Sequence, residues 1–292
     1  MQTGPNPDKT ALRHRTGTSH QDPLAVRVIL IFLTLLFFGG FVFLPLALVF
    51  AEGFRKGAAV YIESIREPYA IAALELTLTT AAIVVPLNAV FGVAAAWAVS
   101  KFTFRGKTFL VSLLDLPFAV SPVIAGLIFV LLLGSRTTLG SWLGEHGIKL
   151  IFSTPGIVIA TLFVTFPFVA RELIPLMESQ GREEEEAAVT LGAKGWQVFS
   201  IVTLPNIRWG LLYGMILCMA RSIGEFGAVS VVSGHIRGMT NTIPLHVEIL
   251  YSEYNYAASF AVASILVFLA LATIVVRSIM ENALHNQQQT QF

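Results

Sequence analysis

Residues 183–205 read Glu-Glu-Glu-Glu-Ala-Ala-Val-Thr-Leu-Gly-Ala-Lys-Gly-Trp-Gln-Val-Phe-Ser-Ile-Val-Thr-Leu-Pro. Apolar runs long enough to cross a bilayer lie on both sides of this polar insert. Glu183 to Leu191 holds strong helix formers and no breaker. Glutamates in its first turn suit the positive end of a helix dipole. Gly192 is the expected stop, since glycine takes a left-handed cap without a Cβ clash. A second short helix is expected from Lys194 to Thr203, with Trp196, Phe199 and Val202 on one face. Pro205, which has no N–H to donate, is expected to end it. On periodicity alone this could be an interfacial hairpin that only anchors the loop.

Outward from the loop the chain is oily. Of 292 residues 55% are hydrophobic and 13% charged, and the mean hydropathy of +0.73 is too high for an ordinary soluble domain. The net charge of +1 gives no field for nucleic acid. The single cysteine, Cys218, cannot form an internal disulfide and reads as a small buried hydrophobe. The first apolar run exceeds a signal-peptide core. A span needs about 20 mostly apolar residues. Six segments come close or meet that, near 28–50, 74–99, 109–133, 155–177, 209–232 and 257–277. All should be helices, because lipid leaves no other partner for backbone polar groups.

The expected fold is therefore all-α: one integral membrane domain of six transmembrane helices over 25–280, with the loop at 178–208. Residues 1–24 are expected to be a polar, disordered tail and 281–292 a polar C-terminal tail, disordered at Gln287-Gln288-Gln289. Eleven Lys and Arg fall on the side of the termini and this loop against six on the other. That bias places both termini and the loop in the cytoplasm.

Ionisable residues inside spans are costly and so are functional candidates. Arg221 and Glu225, four apart in the fifth span, should share a helix face. They either neutralise each other for structure or border a translocation path with Ser222, where Arg221 would attract an anion. Asp115 sits in the third span, which Pro117 and Pro122 should distort. Pro86 should distort the second span, with the freed carbonyls satisfied locally near Asn88. Arg171-Glu172 reads as a pair at the edge of the fourth span. His235 and His246 are expected in an outer loop, and no histidine spacing suggests a metal site. Gly106-Lys107-Thr108 matches the end of a phosphate-binding loop, but Lys101 stands where its first glycine belongs and no strand precedes it. No residue is expected to be catalytic, and no ATP site is visible.

Glu186-Ala187-Ala188, three residues, Gly192, nine residues, then Val202-Thr203-Leu204-Pro205 resembles the EAA loop of permease subunits in ATP-binding-cassette (ABC) importers. Val202 stands where that family usually has isoleucine. Phe104-Arg-Gly106, Leu114 to Val123, Phe166 to Pro175, Thr203 to Trp209 and Arg221 to Gly234 extend the likeness over residues 25–280. They are similar to sulfate/thiosulfate ABC permease subunits of the W type. The resemblance implies a type I importer in the bacterial inner membrane. A T-type permease would pair with this one, and a dimeric ATPase would supply ATP and Mg. A soluble sulfate-binding protein would deliver the anion. Glu186, Ala187, Ala188, Gly192, Leu204 and Pro205 would form the coupling helix that docks on the ATPase. The rival readings are a molybdate or tungstate permease of the same design, an ion-coupled secondary carrier using Glu225 or Asp115, and a membrane hydrolase.

Overall fold

The computed structural model describes residues 24–289, with side chains described as far as residue 280. Expectations for residues 1–23 and 290–292 lie outside the described residues. Every regular element among the described residues is helical. They are α1 (Leu24–Gly53), α2 (Ala58–Arg66), α3 (Pro68–Lys101), α4 (Lys107–Ala119), α5 (Pro122–Leu133) and α6 (Thr138–Glu145). Then follow α7 (Thr154–Gln180), α8 (Glu183–Thr190), α9 (Gly195–Ile223), α10 (Gly227–Ser233), α11 (Ile243–Ser252) and α12 (Tyr256–Gln289). The chain falls into two units divided after Ala47, and most of α1 forms the first. Residues 281–289, expected as part of a tail, continue α12.

Five helices, α1, α3, α7, α9 and α12, are long and apolar enough to cross a membrane. The third expected span is not one helix. It is the pair α4 and α5, bent by 106° around Val120 and Ser121. The proline signal was correct but understated. Pro122 starts α5, where its missing N–H costs nothing. The fifth span also differs. α9 ends at Ile223, and α10 begins only at Gly227. Three short helices outside the spans, α2, α6 and α11, were not foreseen.

Pro205, expected to end a helix, and Pro45 are absorbed by the same local device. Leu44 N–H bonds to Gly39 O and Leu204 N–H to Phe199 O, closing a π-turn just before Pro45 and Pro205. A proline ring clashes with the carbonyl four residues back, and the wider turn moves that carbonyl aside. Pro205 therefore does not end the helix that begins at Gly195, contrary to the sequence expectation. Pro86 lies within an uninterrupted α3, and Asn88 does not patch a local kink. Its amide crosses to α7 and donates to Thr165 Oγ1 at 2.8 Å.

The second unit is organised on α3. Its buried stripe includes Ala70, Ala73, Ala81, Val84, Gly92, Ala96 and Val99. Small side chains let helices approach closely where lipid supplies no hydrophobic drive between them. Val85, Val93 and Ala96 pack with Val169, Leu173 and Met177 of α7 and with Ile207 and Cys218 of α9. Tyr61 of α2 shares a 2.6 Å hydrogen bond with Ser264 of α12. Thr77 accepts the Ile243 N–H at 2.9 Å and so fixes the start of α11 on α3.

α5 also packs closely on α10. A Cβ on Gly126 would stand 2.7 Å from Ala228 O, a backbone atom that cannot rotate away. Gly126→Val is expected to cost about 1–3 kcal/mol by overpacking. The check is the unfolding midpoint of the detergent-purified protein. Gly144→Ala, with nothing within 4 Å of the added carbon, is the near-neutral comparison. Equal midpoints for both variants would remove the close-approach argument.

Candidate functional site

The polar loop folds as a helix–turn–helix elbow. α8 carries Glu183, Glu184, Glu185 and Glu186 in its first turn. It ends in a Schellman turn: Gly192 N–H bonds to Val189 O at 2.9 Å, and Ala193 N–H to Ala188 O at 3.0 Å. Gly192 has φ +89°, the conformation for which glycine was expected. The spacing from Ala188 to Gly192 thus has a backbone reason. Lys194 N–H then donates to Gln197 Oε1 at 2.8 Å as α9 begins.

One side of the elbow is fastened to the helices beneath it. Glu185 Oε1 accepts from Thr203 Oγ1 at 2.7 Å and pairs with Lys101 Nζ at 3.2 Å. The Lys101 side chain is only 7% exposed and also donates to Gly181 O. Asn206 donates to Glu184, and Gln180 donates to Asn206 O at 3.1 Å. Sequence reasoning missed this clamp, because Lys101 lies far from the loop in the chain. Removing one partner of a shielded ion pair leaves the other charge without compensation. The other side of the elbow is apolar and open: Leu191 is 89% and Trp196 74% exposed, with Val189 and Ile201 also exposed. Such apolar side chains on a polar loop mark an interaction surface. Glu186 and Ala187 are exposed, Ala188 half-buried, Leu204 half-buried and Pro205 exposed.

Arg221 and Glu225 meet, but not on one helix face as expected. Arg221 is in the last turn of α9, and Glu225 lies in the break before α10. Arg221 Nη1 is 2.6 Å from Glu225 Oε2, and the Glu225 side chain is 1% exposed. The approach is ionic more than directional, since Oε2 lacks a hydrogen bond of good geometry. Glu225 Oε1 accepts Ala228 N–H at 2.9 Å and so caps α10. One carboxylate therefore joins the end of α9 to the start of α10. Ser222 is buried beside it.

Asp115 and Arg171 also meet: Arg171 Nε is 3.0 Å from Asp115 Oδ1, with side chains 57% and 45% exposed for Arg171 and Asp115. The Arg171 guanidinium carbon lies 4.9 Å from the centre of the Phe118 ring. Lys107 and Glu178 form a looser pair at 3.8 Å between the same two helices. His246, expected in an outer loop, is buried in the first turns of α11. Arg237 pairs with Glu253 nearby. That hydrogen bond draws the Glu253 carboxyl below its ordinary value. Its small, solvent-screened contribution is present at neutral pH and is lost as acid titrates the carboxyl.

The arrangement of helices as a whole has a known counterpart. The permease fold of a bacterial alginate ABC transporter, crystallised with an alginate-bound periplasmic protein, superposes with a TM-score of 0.75. It covers 89% of this chain and 95% of that one at 16% identity. The fold is that of a type I ABC importer permease. The profile of the family described as "Binding-protein-dependent transport system inner membrane component" matches residues 88–285. The sulfate transport system permease protein CysW of Escherichia coli K12 is 51% identical over 245 residues, 84% of each chain. The CysT permease of the same sulfate system is 37% identical over 238 residues, 82% of this chain and 86% of its own. The chain belongs to the binding-protein-dependent inner membrane transport family and, within it, to the CysW-type sulfate permeases.

Proposed function

We propose that this chain is the W-type membrane subunit of an ATP-driven importer that carries sulfate, and thiosulfate as a second cargo, into the cell. The observation that carries the reading is the elbow. Its apolar side chains face outward while its polar face is bonded to α3 and α9, an arrangement suited to helix-in-groove docking on another protein. The docked partner is a soluble ATPase dimer that binds ATP and Mg. Glu186, Ala187, Ala188 and Gly192 shape the contact, and Leu204 and Pro205 carry the chain on into α9. The excess of Lys and Arg on the side of the elbow supports a cytoplasmic elbow and cytoplasmic termini in the inner membrane. A T-type permease completes the channel, and a soluble sulfate-binding protein loads it from outside.

Transport by alternating access needs two arrangements of the spans that ATP favours differently. The elbow supplies the lever point. The breaks at Val120–Ser121 and Gly224–Phe226 supply places where half-helices can reorient. Among the candidate path residues, Glu225 and Ser222 are enclosed in this arrangement, Arg221 is partly open and Asp115 half-open. Sulfate is favoured over molybdate by the named cargo of the CysW and CysT relatives. An ion-coupled carrier leaves the elbow without a use.

The test is labelled sulfate uptake in cells lacking this chain, with and without excess unlabelled molybdate. The expected result is lost sulfate uptake, restored by the native chain and indifferent to molybdate. Loss of molybdate uptake with sulfate uptake intact would keep the machine and change the cargo.

A further inference from the structure

α4 presents two exposed faces of opposite character. Phe109, Leu113 and Leu116 form an apolar one, suited to lipid. Thr108, Ser112, Asp115 and Ala119, at spacings of four, three and four, form a polar and small one. On α7, Arg171, Pro175 and Glu178 form a matching exposed strip. Two ionic rungs join the strips, Lys107–Glu178 at 3.8 Å and Asp115–Arg171 at 3.0 Å. Eight residues of α4 and seven of α7 separate the rungs, a rise of about 10–12 Å. The Asp115–Arg171 rung therefore lies about 10–12 Å farther along the helices than Lys107–Glu178, toward the apolar part of α7. Hydrocarbon does not accept a half-exposed charge of this kind. Nor does it accept the irregular backbone at Val120–Ser121, at the far end of the same strip. These two observations independently require water or protein along this face.

The geometry points to an anion station at Arg171, where the cargo oxyanion displaces Asp115 from the guanidinium as it passes along the α4–α7 strip. This rests on the sulfate-import reading above. Asp115 Oδ1 meets Arg171 at Nε, and the fork of the half-exposed guanidinium carries further N–H donors suited to the oxygens of a tetrahedral dianion. Phe118 supports the guanidinium from its face. With no cargo present, Asp115 neutralises the arginine and removes the cost of a lone charge in the span. With cargo present, the competing carboxylate keeps binding weak enough for release, as conduction requires. The Arg221–Glu225 pair cannot serve in the same way here, because its carboxylate is enclosed and engaged in capping α10.

The test uses the whole importer with its binding protein in proteoliposomes and compares three forms: native, Arg171→Gln, and the charge swap Asp115→Arg with Arg171→Asp. The readouts are the amount of assembled complex and the sulfate moved per ATP hydrolysed. Loss of a charge-assisted hydrogen bond to cargo corresponds to about tenfold or more. Arg171→Gln is expected to lower sulfate per ATP by that factor. The swap is expected to restore the attraction between α4 and α7, assemble to the native amount, and still transport about tenfold less or worse. Native transport by the swap would overturn the station and make the pair a clasp between helices or subunits. Unchanged transport by Arg171→Gln would overturn it too. The comparison is run with whichever oxyanion the native importer carries, so a wrong cargo and a wrong station give different results. If the native importer carries none, both fall.

Discussion

Gly192→Leu is expected to insert in the membrane at the native level and to lose at least nine-tenths of sulfate uptake. The added Cβ meets nothing within 4 Å, so crowding is not the cause. The cause is the backbone: φ is +89°, and an L-residue held in the left-handed region costs about 1–2 kcal/mol. Relief of that strain breaks the two Schellman bonds that close α8. Leu191 and Trp196 then lose their fixed relation on the open side of the elbow, and 1.4 kcal/mol is already about tenfold in an equilibrium. Asparagine tolerates this conformation better than leucine, so Gly192→Asn is expected to retain an intermediate rate. Uptake measured beside membrane-fraction immunoblots gives the check. Normal uptake by Gly192→Leu would remove the elbow from the coupling path.

The second large effect is an asymmetry at the buried joint. Arg221→Met strands the Glu225 carboxylate, 1% exposed, with Ala228 N–H as its remaining partner. Breaking a buried pair from one side costs about 3–5 kcal/mol. Glu225→Gln strands a guanidinium that is one-third exposed, and its amide oxygen can still cap α10. It is expected to cost less. The double variant, Arg221→Met with Glu225→Gln, is expected to regain part of the loss, since a neutral pair owes no charge desolvation. Unfolding midpoints in detergent and yields of assembled complex measure the order. If Glu225→Gln proves as damaging to stability as Arg221→Met, neutralising Arg221 does not account for that carboxylate.

Hydropathy alone located the five long apolar helices and the bent pair found among the described residues, because about 20 apolar residues have few other uses. It could not show where a segment breaks. Gly224 to Phe226 sets a single charged residue in an apolar run, which periodicity does not read as a break, and the cap of Glu225 on Ala228 shows that a new helix begins there. Pro205 misled in the opposite direction. A residue that ordinarily ends a helix is accommodated by a π-turn, whose bonding pattern leaves no mark in hydrophobic periodicity. His246 was placed in an outer loop by its position between two spans, yet it is buried in the first turns of a short helix docked on α3.

The elbow was legible at Gly192, whose conformation follows from its residue type. Its clamp was not, because Lys101, Glu185 and Thr203 come together only when α3 and α9 pack beside each other. Arg171 and Asp115 were read separately for the same reason: no local pattern states that residues on different helices will be 3.0 Å apart.

The π-turn at Phe199–Thr203 has a mechanical consequence. Because it carries the chain past Pro205, the elbow and the membrane span are one rod, 29 residues from Gly195 to Ile223. At 1.5 Å per residue that is about 43 Å of unjointed helix. A push of a few ångströms against Trp196 does not dissipate in a flexible neck. It is carried along the rod to the Gly224 break at its other end, and the first place where the chain can bend is the place where Glu225 caps the next helix.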